Sequence, residues 1–330
     1  MLKKALSTLR RRFLGEELWR LSAYGGASTA DMLRLNVKNF GYCVARELAR
    51  TRLAAIDFST EPRVRNFGSR PATQVDIESA WFVHWCNQLK LAPIYHRKLW
   101  EYAFFLQALF DHGALRPGAS GLGFGCGEEP LASYLAANGA TVTVTDLDPA
   151  QSAARGWIDT GQHTSAIDQA FKPELIDRAR FDRFVKLRYV DMNAIPVDLH
   201  GRYDFCWSIC AFEHLGSLER GLRFVENAMA TLKPGGLAIH TTEFNYTSDD
   251  DTVETSELCL FQRKHFLELR RRLESAGHRV APLEFGTGNG ILDGFIDIPP
   301  YDYTSPELAH LKLTVGRFPT TCFGLIVEHR

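Results

Sequence analysis

Two short stretches carry most of the acid–base chemistry in this sequence. "CAFEHL" (210–215) places Glu213 beside His214, and "IHTTEFNY" (239–246) contains His240, Glu243 and Asn245. A histidine titrates near neutrality and can take a proton from a hydroxyl, and a nearby carboxylate can orient it. The expectation is His214 as base, with Glu213 or Glu243 orienting it. The plainer reading of His214 is a residue that caps or orders its loop.

A different chemistry is suggested by "SGLGFGCGEE" (120–129), where Gly121, Gly123, Gly125 and Gly127 precede Glu128, Glu129 and Pro130. Such glycines let the chain turn sharply and bring backbone N–H groups against a ligand, and the acids and proline open a helix with a favourable dipole. Two carboxylates at a helix start repel a pyrophosphate but not a ligand carrying an ammonium and a sulfonium. The dinucleotide pattern G-x-G-x-x-G also fails, because Glu128 stands where the third glycine would be. Asp146 ends "TVTVTD" and is suited to accept two hydrogen bonds from a diol. Asp148 and Pro149 read as the cap and first residue of the next helix. Asp191, in "YVDMNAIP", either meets a ligand or makes an Asx turn ahead of Pro196.

These residues need strand ends to hold them. From residue 113 the chain alternates strand and helix: "GASGLGF", "EEPLASYLAANG", "ATVTVTD", "FVKLRYVD", "YDFCWSI", "LERGLRFVENAMATL", "LAIHTTEF", "RKHFLELRRRLESAGH" and a closing "TCFGLIVEH". That rhythm predicts a parallel sheet with helices on both faces, whose ligand lies beyond the carboxyl ends of the strands. Residues 1–112 read as an all-helical extension, including "IYHRKLWEYAFFLQALFDHG", with "EPRVRNFGSRPATQVD" as an irregular connection.

Composition agrees with a folded protein. With 45% hydrophobic residues in 330, a net charge of −1 and no apolar run long enough to span a bilayer, the chain is expected to be soluble, without stable membrane insertion. Seven cysteines without a C-x-x-C pair fit reduced thiols, so a cytoplasmic location is the expectation. "MLKKALSTLRRRFL" sets Leu2, Leu6, Leu9 and Phe13 at helical spacing among basic residues, either a membrane-surface helix or a solvated face, and it lacks a signal peptide's features.

The glycine turn resembles the first motif of the class I S-adenosylmethionine-dependent methyltransferases, an acid, one residue, then G-x-G-x-G, with Gly125 and Gly127 as the first two glycines. Two positions depart: Gly123 stands where the family has the acid and Glu129 where it has the last glycine. Glu128 or Glu129 could take over the cofactor's ammonium, or serve only as dipole partners. The resemblance implies a Rossmann-like, doubly wound, mostly parallel seven-stranded sheet with an antiparallel last strand over 113–330. It further implies that S-adenosylmethionine is held by Gly123, Gly125, Gly127, Glu128, Asp146, Leu147, Asp191, Met192 and Ser208. In this likeness Asp146 takes the ribose diol, Asp191 the adenine amine and Met192 the adenine ring, and the Glu213–His214 pair borders the methyl-transfer site. The matches run from about 115 to 245.

The same pair, with Glu243, faintly resembles the metal site of the small-RNA 2′-O-methyltransferases, although Cys210 replaces that site's first glutamate. Glu213, His214 and Glu243 are therefore weak candidates to hold magnesium or manganese, and the metal-free reading is preferred. The acceptor pocket is expected from the N-terminal extension, acting as a lid, through Tyr95, His96, Arg97, Trp100, Glu101 and Tyr102, and from the loop "GTGNGILDGFIDIPPYDY" (286–303). That mixture of aromatic and polar groups suits O-methylation of a sugar, glycoconjugate or other small hydroxylated metabolite. Trp100, Phe104 and Leu99 at helical spacing also read as core. The alternatives are a nucleic-acid ribose methyltransferase, which needs a basic strip beside the cleft, and an inactive methyltransferase-like binding domain. A homo-oligomer is compatible with the sequence.

Overall fold

The computed structural model describes residues 28–57, 62–149, 166–301 and 309–330. The basic amphipathic pattern at 2–13 lies outside them, as do most of the helix expected after Asp148 and the last residues of the 286–303 loop.

In chain order the helices are α1 (Thr29–Thr51), α2 (Gln74–Ile77), α3 (Ala80–Gln88), α4 (Arg97–Asp111), α5 (Leu131–Ala137), α6 (Arg178–Phe184), α7 (Leu218–Ala228) and α8 (Arg263–Ser275). The strands are β1 (Arg70–Pro71), β2 (Ser120–Phe124), β3 (Thr141–Asp146), β4 (Val185–Tyr189), β5 (Tyr203–Ile209), β6 (Leu232–Asn245), β7 (Arg279–Val280), β8 (Leu313–Val315) and β9 (Phe318–Glu328). Local chemistry starts the two helices that matter most for the site. Ser28 and Asp31 form a reciprocal capping box on α1, and the His96 ring accepts the Lys98 N–H at the start of α4.

Seven strands form one path, β1-β9-β6-β5-β2-β3-β4, and the short β7 and β8 also pair with β9. From β6 to β4 all pairings are parallel, and β9 runs antiparallel to β6. This is the expected doubly wound sheet with its antiparallel last strand, but the region expected to be all-helical adds the short edge strand β1, which pairs antiparallel with β9. The strand order reverses at β2, between β3 on one side and β5 on the other, which opens a crevice at the carboxyl ends of β2 and β5.

Strand alternation feeds two cores. Phe205, Trp207 and Ile239 point to the side covered by α3 and α4, against Trp85, Trp100, Phe104 and Phe105. Leu122, Phe124, Cys206 and Ala238 point to the opposite side, against Phe224, Phe266 and Phe323. The helices before residue 112 thus supply one layer over the sheet. Phe105 of α4 packs on Trp207 of β5 at 5.3 Å, and Phe104, stacked on Trp100 of the same helix at 4.8 Å, lies against Gly324 of β9. Among the described residues, no helix is long and apolar enough to cross a membrane.

Candidate active site

A cavity of about 430 Å³ opens at the carboxyl ends of the parallel strands, where the strand order reverses. One half is built from the turns after β2, β3 and β4. Gly125 (φ +58°) and Gly127 (φ +52°) adopt the left-handed conformation, and a Cβ on Gly125 would lie 2.8 Å from the Ala211 methyl. The Asp146 carboxylate accepts from the Gly127 N–H at 3.2 Å and the Leu147 N–H at 2.8 Å, tying the end of β3 to the glycine turn. Asp191 accepts from the Asn193 N–H at 2.8 Å, so the Asx turn forms, and Asp191 also lines the cavity beside Met192. The Asx turn thus forms while the same residue stands at the cavity wall.

The two departures from the family motif explain each other. A Cβ at Gly123 would lie 2.4 Å from the Trp207 ring, so no acid fits there. The Trp207 indole N–H instead points to the Glu129 carboxyl at 3.4 Å, and Glu129 lines the cavity while only 8% exposed. Burial, with little relief from Lys98, raises the Glu129 pKa well above the usual carboxylate range. Glu128 also lines the cavity, and its carboxylate accepts from Gln169 at 3.1 Å. Two expected cofactor residues lie behind the wall. Gly123 packs under Trp207, and the buried Ser208 bonds to His240 Nδ1 at 2.8 Å.

The other half is made by the first turn of α4, the segment after β5, and β6. The partly buried Arg97 and the buried Glu243 form an ion pair facing the cavity. Burial opposes the charge on Arg97, but Glu243, with Cys322 and Cys210, outweighs it and holds the pKa well above the ordinary value. Lys98 pairs with Glu101 at 3.4 Å, and Glu101 also accepts from Cys210 Sγ at 2.9 Å and from Thr241. Glu213 is 1% exposed; its Oε2 accepts from Thr242 at 3.0 Å, while Oε1 has no hydrogen-bond partner. Burial pushes its pKa up, and nearby Glu243 adds to that.

His214 reaches the cavity rim, where its Nδ1 bonds to the Glu257 carbonyl at 2.7 Å. A carbonyl only accepts, so Nδ1 carries the proton and the ring's lone pair is on Nε2. The orienting bond on Nδ1 therefore comes from a backbone carbonyl, not from Glu213 or Glu243. Of the set in "IHTTEFNY", only Glu243 faces the cavity. His240 is buried on the opposite side between Phe212 and Phe224, with its pKa pressed down to about 3 by burial, and Asn245 builds the turn with Asp251 and Thr252.

Of the residues in and just before α4, the N-cap His96, Arg97 and Tyr102 line the cavity, Glu101 lies behind it, and Tyr95 and Trp100 are core. The described part of the 286–303 loop does not line it. A residue beyond that loop does: His310, which sequence reasoning missed. It lies just before β8 in an apolar stretch, "ELAHLKLTV", with no motif to mark it. As a metal set, Cys210, Glu213 and Glu243 have ligand atoms within 4.8 Å of one another, but the Arg97 guanidinium on Glu243 opposes a cation there.

A family model described as a methyltransferase domain matches residues 95–282. No curated protein matches the chain. Among solved structures, a SAM-dependent methyltransferase from Aquifex aeolicus is 18% identical over 68% of this chain and 89% of its own, with a TM-score of 0.39. One from Mesorhizobium loti is 14% identical over 67% and 95%, with a TM-score of 0.40. A protein from Galdieria sulphuraria, provisionally described as a sarcosine dimethylglycine methyltransferase, is 19% identical over 54% of this chain, with a TM-score of 0.38; the match spans 60% of that protein's length.

Proposed function

Since this chain belongs to the class I S-adenosylmethionine-dependent methyltransferases, we propose that it O-methylates a small hydroxylated acceptor, a sugar or a similar polyhydroxylated metabolite. The residues of the first half of the cavity fit the cofactor. The Gly125 position has no room for a Cβ, and a strand-end carboxylate, an apolar sulfur and a buried acid stand around it. Asp146 would accept from the ribose hydroxyls, Asp191 from the adenine amine, with Met192 on the ring, and Gly125–Gly127 would bring backbone against the ligand. Glu129, rather than the outward Glu128, would take the ammonium. S-adenosylmethionine supplies an electrophilic methyl carbon; the chain must place a nucleophile against it and accept the nucleophile's proton.

The observation that carries the acceptor reading is the Glu213 Oε1, buried without a partner in the cavity wall. A buried acid in that state is stabilised by a ligand that completes its hydrogen bonds. Ionised, it accepts from a hydroxyl; protonated, it donates to a hydroxyl or ring oxygen. A polyol offers both. Glu243, fixed by Arg97, gives a second acceptor, and Tyr102 and His96 from α4 close the wall, so the N-terminal helices form the substrate side. His214 at the rim is one candidate for the base. The exposed basic run on α8 does not present a strip for a polyanion: Arg270, Arg271 and Arg272 are paired with Glu274, Glu268 and Glu219.

The test is incubation of the full chain and S-adenosylmethionine with methyl glycosides, nucleosides, phenols and short RNA, following S-adenosylhomocysteine release and the mass of the product. Methylation of a hydroxyl on a small glycoside is expected. Turnover of RNA alone favours the nucleic-acid alternative, and tight cofactor binding without turnover of any acceptor favours the inactive domain.

A further inference from the structure

We propose that the general base of this reaction is His310, held by Asp297 as its positioning residue. The proposal rests on O-methylation at this site and assigns the destination of the acceptor's proton.

His310 is 3% exposed and lines the cavity. Its ring lies 5.0 Å from that of His96, and its backbone carbonyl accepts the Arg97 N–H at 3.1 Å, which fixes it to the start of α4. Its Nδ1 bonds to the Asp297 carboxylate at 2.9 Å. Asp297 is fully buried, and its carboxylate is also held by Lys38 at 3.1 Å, by the Tyr42 hydroxyl at 3.1 Å and by the Ile298 N–H at 2.9 Å. With Lys38 in the pair, the Asp297 carboxylate is an acceptor. Nδ1 of His310 therefore donates, and the lone pair is on Nε2.

His214 has the same tautomer, so the two histidines differ in what stands behind them. Nδ1 of His214 is held by a neutral carbonyl dipole, with the Glu213 carboxyl acting on the ring from nearby; Nδ1 of His310 is held directly by a carboxylate. As a base takes a proton it becomes a cation, and a buried anion at hydrogen-bond distance stabilises that cation more than a dipole does. In the step, the acceptor O–H bond breaks and its proton bonds to His310 Nε2. The oxygen's electron pair forms the bond to the methyl carbon, and the carbon–sulfur pair leaves on sulfur. α1 acquires a function here, since its Lys38 and Tyr42 hold Asp297.

Among the described residues, the groups facing His310 include His96 and Arg97 at the start of α4, Glu243 from β6, Asp297 and Tyr301. Burial lowers the His310 pKa below that of an ordinary histidine, Arg97 adds to this, and Asp297 and Glu243 oppose it. His310 is consequently neutral, able to accept, down to a lower pH than a solvent-exposed histidine. Replacing Asp297 by Asn removes a carboxylate that raises the pKa, so the acidic limb of turnover moves to lower pH as the rate falls.

The test compares wild type, His310→Gln, His214→Gln and Asp297→Asn with the glycoside, nucleoside and phenol panel, and measures the S-adenosylhomocysteine Kd of each by calorimetry. The expected result is a fall in kcat of about 10²- to 10⁴-fold for His310→Gln with cofactor Kd changed by less than about threefold. His214→Gln falls less, and Asp297→Asn falls with its acidic limb shifted down in pH. Wild-type turnover in a cofactor-competent His310→Gln overturns the assignment. If the panel yields methylation of an amine alone, the O-methylation reading fails, while the same variant still decides on His310. If no compound turns over, histidine ring ¹⁵N spectra of the wild-type chain decide: an Nδ1–H tautomer at neutral pH supports the base, and an Nε2–H tautomer or a protonated ring overturns it.

Discussion

The two halves of the cavity are assembled in opposite ways. The half we propose for the cofactor uses residues a few positions from a strand end: Gly125 and Gly127 after β2, Asp146 and Leu147 at β3, Asp191 and Met192 after β4. Each is placed by its own turn, and the parallel register brings the turns together. The half we propose for the acceptor joins Arg97 to Glu243, Glu101 to Cys210 and Lys38 to Asp297, each pair more than 100 residues apart in the chain, with Asp297 in turn holding His310. A turn after a strand is placed by its own short stretch of sequence, whereas a wall of paired side chains from distant elements is placed only by the whole fold.

If the halves are separable in this way, damage to one should spare the other. The largest effect is expected from Arg97→Ala, which leaves Glu243 buried without its cation and should reduce stability by roughly 3–5 kcal/mol in denaturant unfolding. The Arg97→Met/Glu243→Leu double variant should lose less than the sum of the single changes. Asp146→Ala should weaken S-adenosylhomocysteine binding by roughly 2–4 kcal/mol in calorimetry, through two lost charge-assisted hydrogen bonds, with folding retained. An unchanged Kd would remove the ribose from Asp146.

A smaller effect belongs to Glu129. Its raised pKa keeps it protonated to higher pH than an ordinary glutamate. A ligand ammonium prefers the ionised form, so cofactor binding should release a proton and tighten as pH rises through that raised value. Glu129→Gln should abolish this pH dependence and weaken binding by about 1–2 kcal/mol, measured in buffers of different ionisation enthalpy. The smallest effect is that of Ser208→Ala, about 1 kcal/mol of stability from the lost bond to His240, with cofactor affinity unchanged.

The same division explains what could be read from the sequence. The alternating pattern gives the strands and helices of the sheet, because each carries its own periodicity and turn signals, while the antiparallel last strand is implied by the family resemblance. The glycine turn, Asp146 and Asp191 stand where their spacing implies. Ser208 is misplaced because a strand alternates faces, and its hydroxyl lies on the side of His240. Glu213, His214 and Glu243 reach the cavity, but the bonds they make are to Thr242, Glu257 and Arg97, partners no local pattern names. His310 has no signal of its own; only the fold brings it beside His96 and Arg97.

The most direct test is a crystal structure of the full chain with S-adenosylhomocysteine. The ribose hydroxyls should lie on Asp146, the adenine by Asp191 and Met192, and the ammonium on Glu129, with the sulfur facing the wall that holds Glu213, Glu243 and His310. A ligand bound away from Asp146, or one whose sulfur faces away from that wall, would contradict the division of the cavity into a cofactor half and an acceptor half.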